Sequence, residues 1–341
     1  MLKTKSEQIN AMATIYYDQD ADLALLKNKA VAIIGYGNQG RAHALNLKDS
    51  GIEVIVGARN NGNAFRNAVA DGFAVMSVKA ASVKASVLAI MLPDEVVTEV
   101  FKNEIDPALQ ESKEAKTFVF AHGFTVTNKT AKFPASADIV LVAPTGPGRQ
   151  VRSLYIEGRG LPALVAVEQD VSGNAHSMAL AYAKAIGCTR AGAIKTTFRE
   201  ETITDLFCEQ AVLCGGMPEL IKASFNTLVA RGYQPELAYI SCLKEVKLIA
   251  DLLFTQGMDG MRHAISNTAK YGSVIAGPSI IDAAAVQKLE QLLNNIEEGR
   301  FASDFMAEAK AGSPVTRKYS SQEANSQLAR TGKELKESLH F

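Results

Sequence analysis

The stretch from Ala30 to Leu47, AVAIIGYGNQGRAHALNL, leaves the chain the least freedom. Val31, Ala32, Ile33 and Ile34 form an apolar run of strand length. Gly35-Tyr36-Gly37-Asn38-Gln39-Gly40 follows, a GxGxxG, and a helical pattern through Ala42, Ala44, Leu45 and Leu47 begins at once. Strand, glycine turn and helix in that order are the context a dinucleotide fingerprint requires. Gly35 permits the tight turn, Gly37 lets main chain approach a pyrophosphate, and Gly40 lets helix pack closely on strand. The helix N-terminus then faces the anion. A lone GxGxxG is a weak signal. With these flanks it points to a nicotinamide or flavin site, against the plainer reading of a glycine-rich turn with no ligand.

With 341 residues and roughly 150 per domain, two domains are expected. Short apolar runs at Ile52–Val56, Val75–Met76, Val83–Leu92, Phe118–Ala121, Ile139–Ala143, Leu161–Val167 and Ala191–Thr197 alternate with helical patterns. Such apolar strands predict a Rossmann-type, doubly wound parallel sheet covered on both faces. After Phe198 the strands stop. Helical pattern runs from Glu200 to about Phe254, and Glu236 to Leu253 sets Leu243, Val246, Ile249, Ala250 and Leu253 on one face. Further helices are expected at Ser279–Glu297 and Ser303–Ala309. Residues 1–29 read as an extension, and Lys318–Phe341 as a charged, Ser-rich tail. The division is a Rossmann domain at 1–197, a helical domain at 198–335 and a tail at 336–341.

The balance of 36 basic and 36 acidic residues argues against bulk electrostatic binding to nucleic acid or anionic membrane. No apolar run approaches the ~18 residues of a membrane span, and MLKTKSEQINAM has no apolar signal core. Cys188, Cys208, Cys214 and Cys242 form no CxxC and read as structural thiols. The cytoplasm is the expected location.

Six segments together resemble the short-form (class I) ketol-acid reductoisomerase family: GYGNQGRAHALNL, LPDE at 92–95, AHGF at 121–124, VAPTGPG at 142–148, EETITDLFCEQAVLCGG at 200–216 and ISNTAKYG at 265–272. The similarity runs from about Tyr16 to Leu335. It implies a knotted helical domain, an intertwined homodimer with shared active sites, and isomerisation of an acetohydroxy acid on two Mg²⁺ ions followed by reduction with NADPH. Asp205 and Glu209 match the family's first carboxylate pair. Their spacing of four puts both on one helix face, and hard oxygens suit Mg²⁺. Glu245 matches one member of the second pair, Ser266 the serine at the substrate carboxylate, and His122 the active-site histidine. Leu92 and Pro93 of LPDE join the glycine turn in the cofactor site. Apart from the resemblance, the carboxylates read as a solvated helix face, and a strand-end histidine is more often structural.

The departures fall on the chemistry. The resemblance implies a lysine at 145, where this chain has Thr145, and a glutamate at 241, where it has Ser241. Histidines at 41, 149 and 244 are replaced by Arg41, Arg149 and Lys244. One cation and one carboxylate are lost together, which makes Mg²⁺ binding doubtful. Three readings remain. The first is a reductase of a small 2-keto acid or imine with the isomerase step weakened or lost. In it Arg149 and Ser241 hold substrate. The second is a working reductoisomerase in branched-chain amino-acid synthesis, and the third a non-catalytic cofactor-binding paralogue. Arg59, just past the second strand, stands where an NAD enzyme often carries an acid. It favours NADPH, with NADH still open; alternatively it only stacks on adenine.

Overall fold

A computed structural model of the chain describes residues 12–112 and 114–338. The chain divides into two compact units between Thr202 and Ile203. Among the described residues the first is built on nine strands: β1 (Ile15–Tyr16), β2 (Val31–Ile34), β3 (Val54–Gly57), β4 (Ala74–Met76), β5 (Val87–Ile90), β6 (Thr117–Phe120), β7 (Asp138–Pro144), β8 (Ala163–Gln169) and β9 (Ala193–Lys195). The sheet order is β1-β9-β8-β7-β6-β5-β2-β3-β4. Its helices are α1 (Asn38–Asp49), α2 (Asn63–Ala70), α3 (Val78–Lys84), α4 (Asp94–Val100), α5 (Asp106–Ser112), α6 (Phe124–Thr127), α7 (Gly148–Ile156) and α8 (Ala175–Ala185). α9 (Phe198–Cys208) starts in this unit. Every residue of β2, β5 and β6 is buried. Each large apolar side chain so placed contributes about 1.5–3 kcal/mol. The chain leaves β2 for β3 and β4 on one side and takes β5, β6 and β7 on the other, so the loop after β2 lies at the switch point where such sheets bind ligands.

The sheet is mixed rather than wholly parallel. β4 to β7 pair in parallel through β3, β2, β5 and β6, but β8 runs antiparallel to β7, with Pro144 opposite Ala163. The reason is that α7 does not cross the sheet. Gly148 at its start lies so close to the Asn38 main chain that a Cβ would collide with it. Asn46 of α1 donates to the Val151 carbonyl at 3.2 Å. Held along α1, the helix returns the chain to the edge it left, and Thr145 N donates to Pro162 O at 2.9 Å.

Residues 12–29 are part of this unit rather than a separate extension. β1 pairs antiparallel with β9, Leu26 is buried, and Lys184 Nζ donates to the carbonyls of Asp18 and Ala21. Residues 1–11 lie outside the described ones.

The second unit continues from α9 into a π turn, Glu209–Leu213, and then α10 (Gly216–Ala230), α11 (Pro235–Tyr239), a π turn at Ile240–Lys244, α12 (Glu245–Ala264), α13 (Asn267–Ile280), α14 (Ala283–Glu297), α15 (Arg300–Lys310), α16 (Pro314–Ala324) and α17 (Gln327–Ser338). The expected single helix from Glu236 to Leu253 is interrupted by the second π turn, and α12 departs from helical geometry at Gly257. The helix expected from Ser279 starts at Ala283, because Asp282 caps it by accepting from Ala285 N at 2.9 Å. The expected tail is α16 and α17. Thr331, Gly332 and Leu335 are buried beside Tyr239. Residues 339–341 are not among those described. Among the described residues, no helix is long and apolar enough to cross a membrane. Cys188 is buried, and burial pushes its thiol up to about 12. Cys208 and Cys214, read with it as structural thiols, are exposed.

Candidate functional site

The glycine turn meets the three steric demands of its pattern. Gly35 has φ +96°, and a Cβ there would lie 2.6 Å from the Met91 carbonyl and 3.0 Å from Leu92. A Cβ on Gly40 would run into the Gly35 carbonyl. Around Gly37 a Cβ would meet nothing within 4 Å, so it would project into the open space at the N-terminus of α1. Those residues fit a pyrophosphate. Gln39 Nε2 donates to the Gly146 carbonyl at 2.8 Å, tying the turn to the Thr145–Gly148 loop. Tyr36 is buried, and Asn38 is exposed at the first helical position. Arg59 lies exposed two residues past β3, in a turn closed by Gly62 N donating to its carbonyl at 3.3 Å.

His122 follows β6 at the C-terminal edge of the sheet, as does Leu92 after β5; Pro93 caps α4. The His122 ring has its Nδ1 3.0 Å from Glu201 Oε1, with 25% of the side chain exposed against 3% for Glu201. The other Glu201 oxygen accepts from Gly123 N at 2.8 Å. A buried carboxylate thus fixes the orientation of the ring at the sheet edge. Asp94, at the start of α4, is pushed up to about 6 by burial, against the pull of His122. Sequence reasoning missed Glu201 and Asp94. Both lie inside quoted motifs, EETITD and LPDE, and the signal available was Glu201's position one turn before Asp205.

In the second unit Asp205 is on α9, Glu209 opens the first π turn, Ser241 and Lys244 lie in the second, and Glu245 opens α12. Two of the three carboxylates read as metal ligands therefore stand at α/π junctions, a geometry frequent at functional sites. Ser266 caps α13, accepting from Ala269 N at 3.2 Å, a structural duty the sequence reading did not foresee. In the first unit, Thr145 Oγ1 donates to Pro162 O at 2.9 Å. Arg149 is exposed in the first turn of α7 and has no ion pair among the described residues.

A Rossmann-type sheet, a glycine turn at its switch point, a strand-end histidine and a helical second unit define a dinucleotide-dependent oxidoreductase. Residues 25–192 match the family profile described as acetohydroxy acid isomeroreductase, NADPH-binding domain, and residues 198–341 that of the ketol-acid reductoisomerase C-terminal domain. The chain is similar to an NADH-preferring ketol-acid reductoisomerase from an uncultured archean, with 40% identity over 96% of this chain and 100% of that one and a TM-score of 0.92. A semialdehyde dehydrogenase NAD-binding protein from Cupriavidus necator, 16% identical over 79% of this chain and 99% of its own, shares the fold with a TM-score of 0.60. The chain belongs to the ketol-acid reductoisomerase family, and its first unit is an NADPH-binding domain.

Proposed function

We propose that this chain reduces a small 2-keto acid or imine with NADPH, and that the isomerase step is weakened or lost. The carrying observation is Thr145. Its hydroxyl proton is committed to Pro162 O, and the position holds no charge. Alkyl migration needs cations around a dianion-like intermediate. Hydride transfer needs a docked nicotinamide and a group that polarises or protonates the acceptor. His122, oriented by Glu201, is that group. Arg149 suits a bidentate grip on a substrate carboxylate. Asp205, Glu209 and Glu245 are hard oxygen donors that fit Mg²⁺, and they are the residues that would hold it. The ion would supply Lewis acidity toward substrate oxygens. Ser241 offers a neutral, weak ligand where the resemblance implies a carboxylate.

The second reading is the complete reductoisomerase. The 40% identity over nearly the whole of both chains favours it and supports it better than the first. The purified protein with Mg²⁺, NADPH and 2-acetolactate separates them. The first reading expects negligible 2,3-dihydroxyisovalerate, and keto-acid or imine reduction that survives EDTA. Product formation at ~1 s⁻¹ or faster, an ordinary enzymatic rate, would install the second. Cofactor binding without turnover of any acid or imine would support a non-catalytic paralogue.

The same proposal includes a homodimer. Within the second unit Phe254 is 92% exposed and Tyr271 72%, and Leu248, Met258 and Ile275 are exposed as well. Apolar helix faces this bare match a partner of the same kind.

A further inference from the structure

We infer that Asp71 is the positioning residue of the cofactor turn, holding the main chain around Gly37 in the shape that receives the pyrophosphate. The inference rests on the nucleotide reading of Gly35–Gly40. One carboxylate gathers the groups on both sides of Gly37. Tyr36 Oη donates to Asp71 Oδ2 at 2.8 Å. Arg41 forks the same carboxylate, Nε to Oδ2 at 2.7 Å and Nη2 to Oδ1 at 2.9 Å. Arg41 N also makes the first bond of α1, to the Gly37 carbonyl at 2.9 Å. Asp71 is itself fixed. It caps the end of α2, and Lys48 Nζ donates to the carbonyls of Asp71 and Gly72 at 3.3 and 3.4 Å. Phe73 completes the cluster, edge-on to the Tyr36 ring at 5.8 Å with Lys48 above it at 4.8 Å.

A turn with glycine at both ends has more conformations to lose than any other. Ordering it at the moment of binding subtracts from affinity, and ordering it beforehand removes that cost. Tyr36 and Arg41 lie on either side of Gly37 and both end on Asp71, while Gln39 ties the far end of the turn to the Gly146 carbonyl. The charges matter too. A guanidinium in the first turn of a helix opposes the helix dipole. Asp71 compensates it and keeps Arg41 turned toward α2.

The test uses the full chain with Asp71→Asn, Asp71→Glu and Tyr36→Phe, titrated by calorimetry with NADPH and with NADH and assayed with the best substrate. Asp71→Asn is expected to raise both dissociation constants by the same factor, about tenfold, as loss of a charge-assisted bond implies. The kcat at saturating cofactor should stay within about twofold, because the turn, once ordered by ligand, is the same turn. A purely structural residue would lower kcat and the cofactor-free Tm together. Tyr36→Phe should raise both constants in the same direction by less, and Asp71→Glu should recover much of the affinity. Unchanged affinity in Asp71→Asn or in Tyr36→Phe would overturn the inference. So would tighter binding, which would mean that a released Arg41 grips the pyrophosphate itself, or a loss confined to one cofactor. Should Asp71→Asn fail to fold, Tyr36→Phe decides alone. Absence of binding by the wild-type chain would instead overturn the nucleotide reading beneath it.

Discussion

Arg59 and His43 show what single residues are asked to do. Arg59 stands exposed beyond β3 with no acid beside it in the Asn60–Asn63 loop. Arg59→Glu should lower the NADPH/NADH ratio of kcat/KM by roughly tenfold or more, since it trades a phosphate partner for a repelling charge. A ratio that does not fall would remove Arg59 as the selector. His43 is wholly buried in α1, with Nδ1 3.1 Å from Tyr182 Oη, and burial pushes it down to about 4 from 6.5. The folded state therefore holds the ring neutral while the unfolded chain takes up a proton below 6.5. Stability contributed by the neutral ring is complete above that value and is lost as the pH falls toward 4, by roughly 3 kcal/mol at most. Urea midpoints between pH 7 and 4.5 should show the decline, and His43→Leu should flatten it. At this scale the sequence was readable where function is written in residue type, as in the three glycines. It was opaque where burial decides. Glu201 stands in a pair of glutamates that reads as solvated surface until the fold covers it.

Elements were legible when their pattern was local. β2 and β5 are apolar throughout, β6 is apolar after Thr117, and each is a buried strand along its whole length. The direction of β8 was not local. It follows from the contact of Gly148 with Asn38, two residues far apart in the chain. α17 was hidden by its charges, although Leu328, Thr331 and Leu335 repeat at helical spacing. Its seat gives a test. A Cβ on Gly332 would lie 2.7 Å from the Tyr239 ring, which is itself buried. Gly332→Val should therefore cost about 1–3 kcal/mol as overpacking, seen as a lower Tm. An unchanged Tm would mean that α17 is not held against α11.

At the scale of the whole molecule the two units differ in self-sufficiency. The first has a sheet with core on both faces, one layer around Val31, Ile33 and Tyr182 and the other around Ile34, Phe101 and Phe118. Among its described residues the second has a small buried cluster at Phe225, Ala238, Tyr239 and Leu335, with long apolar helix faces left bare. A unit so poorly supplied with its own core is expected to be stable only when paired. The Tm of the chain should rise with protein concentration, and light scattering at micromolar concentration should show a dimer. A folded monomer there would sink the homodimer proposal.

The π turns carry a consequence of another kind. Each uses one residue more than an α-helix would over the same path, and that surplus swings everything downstream by about 100° around the axis. The face that Glu245 presents relative to α11 is thus set by chain length as much as by side-chain identity. A one-residue deletion within Ile240–Lys244 would let the helix close into regular α geometry. Selection for stability alone would favour such a deletion, so the surplus residue is a site at which insertion history, rather than substitution, governs what the helix can present.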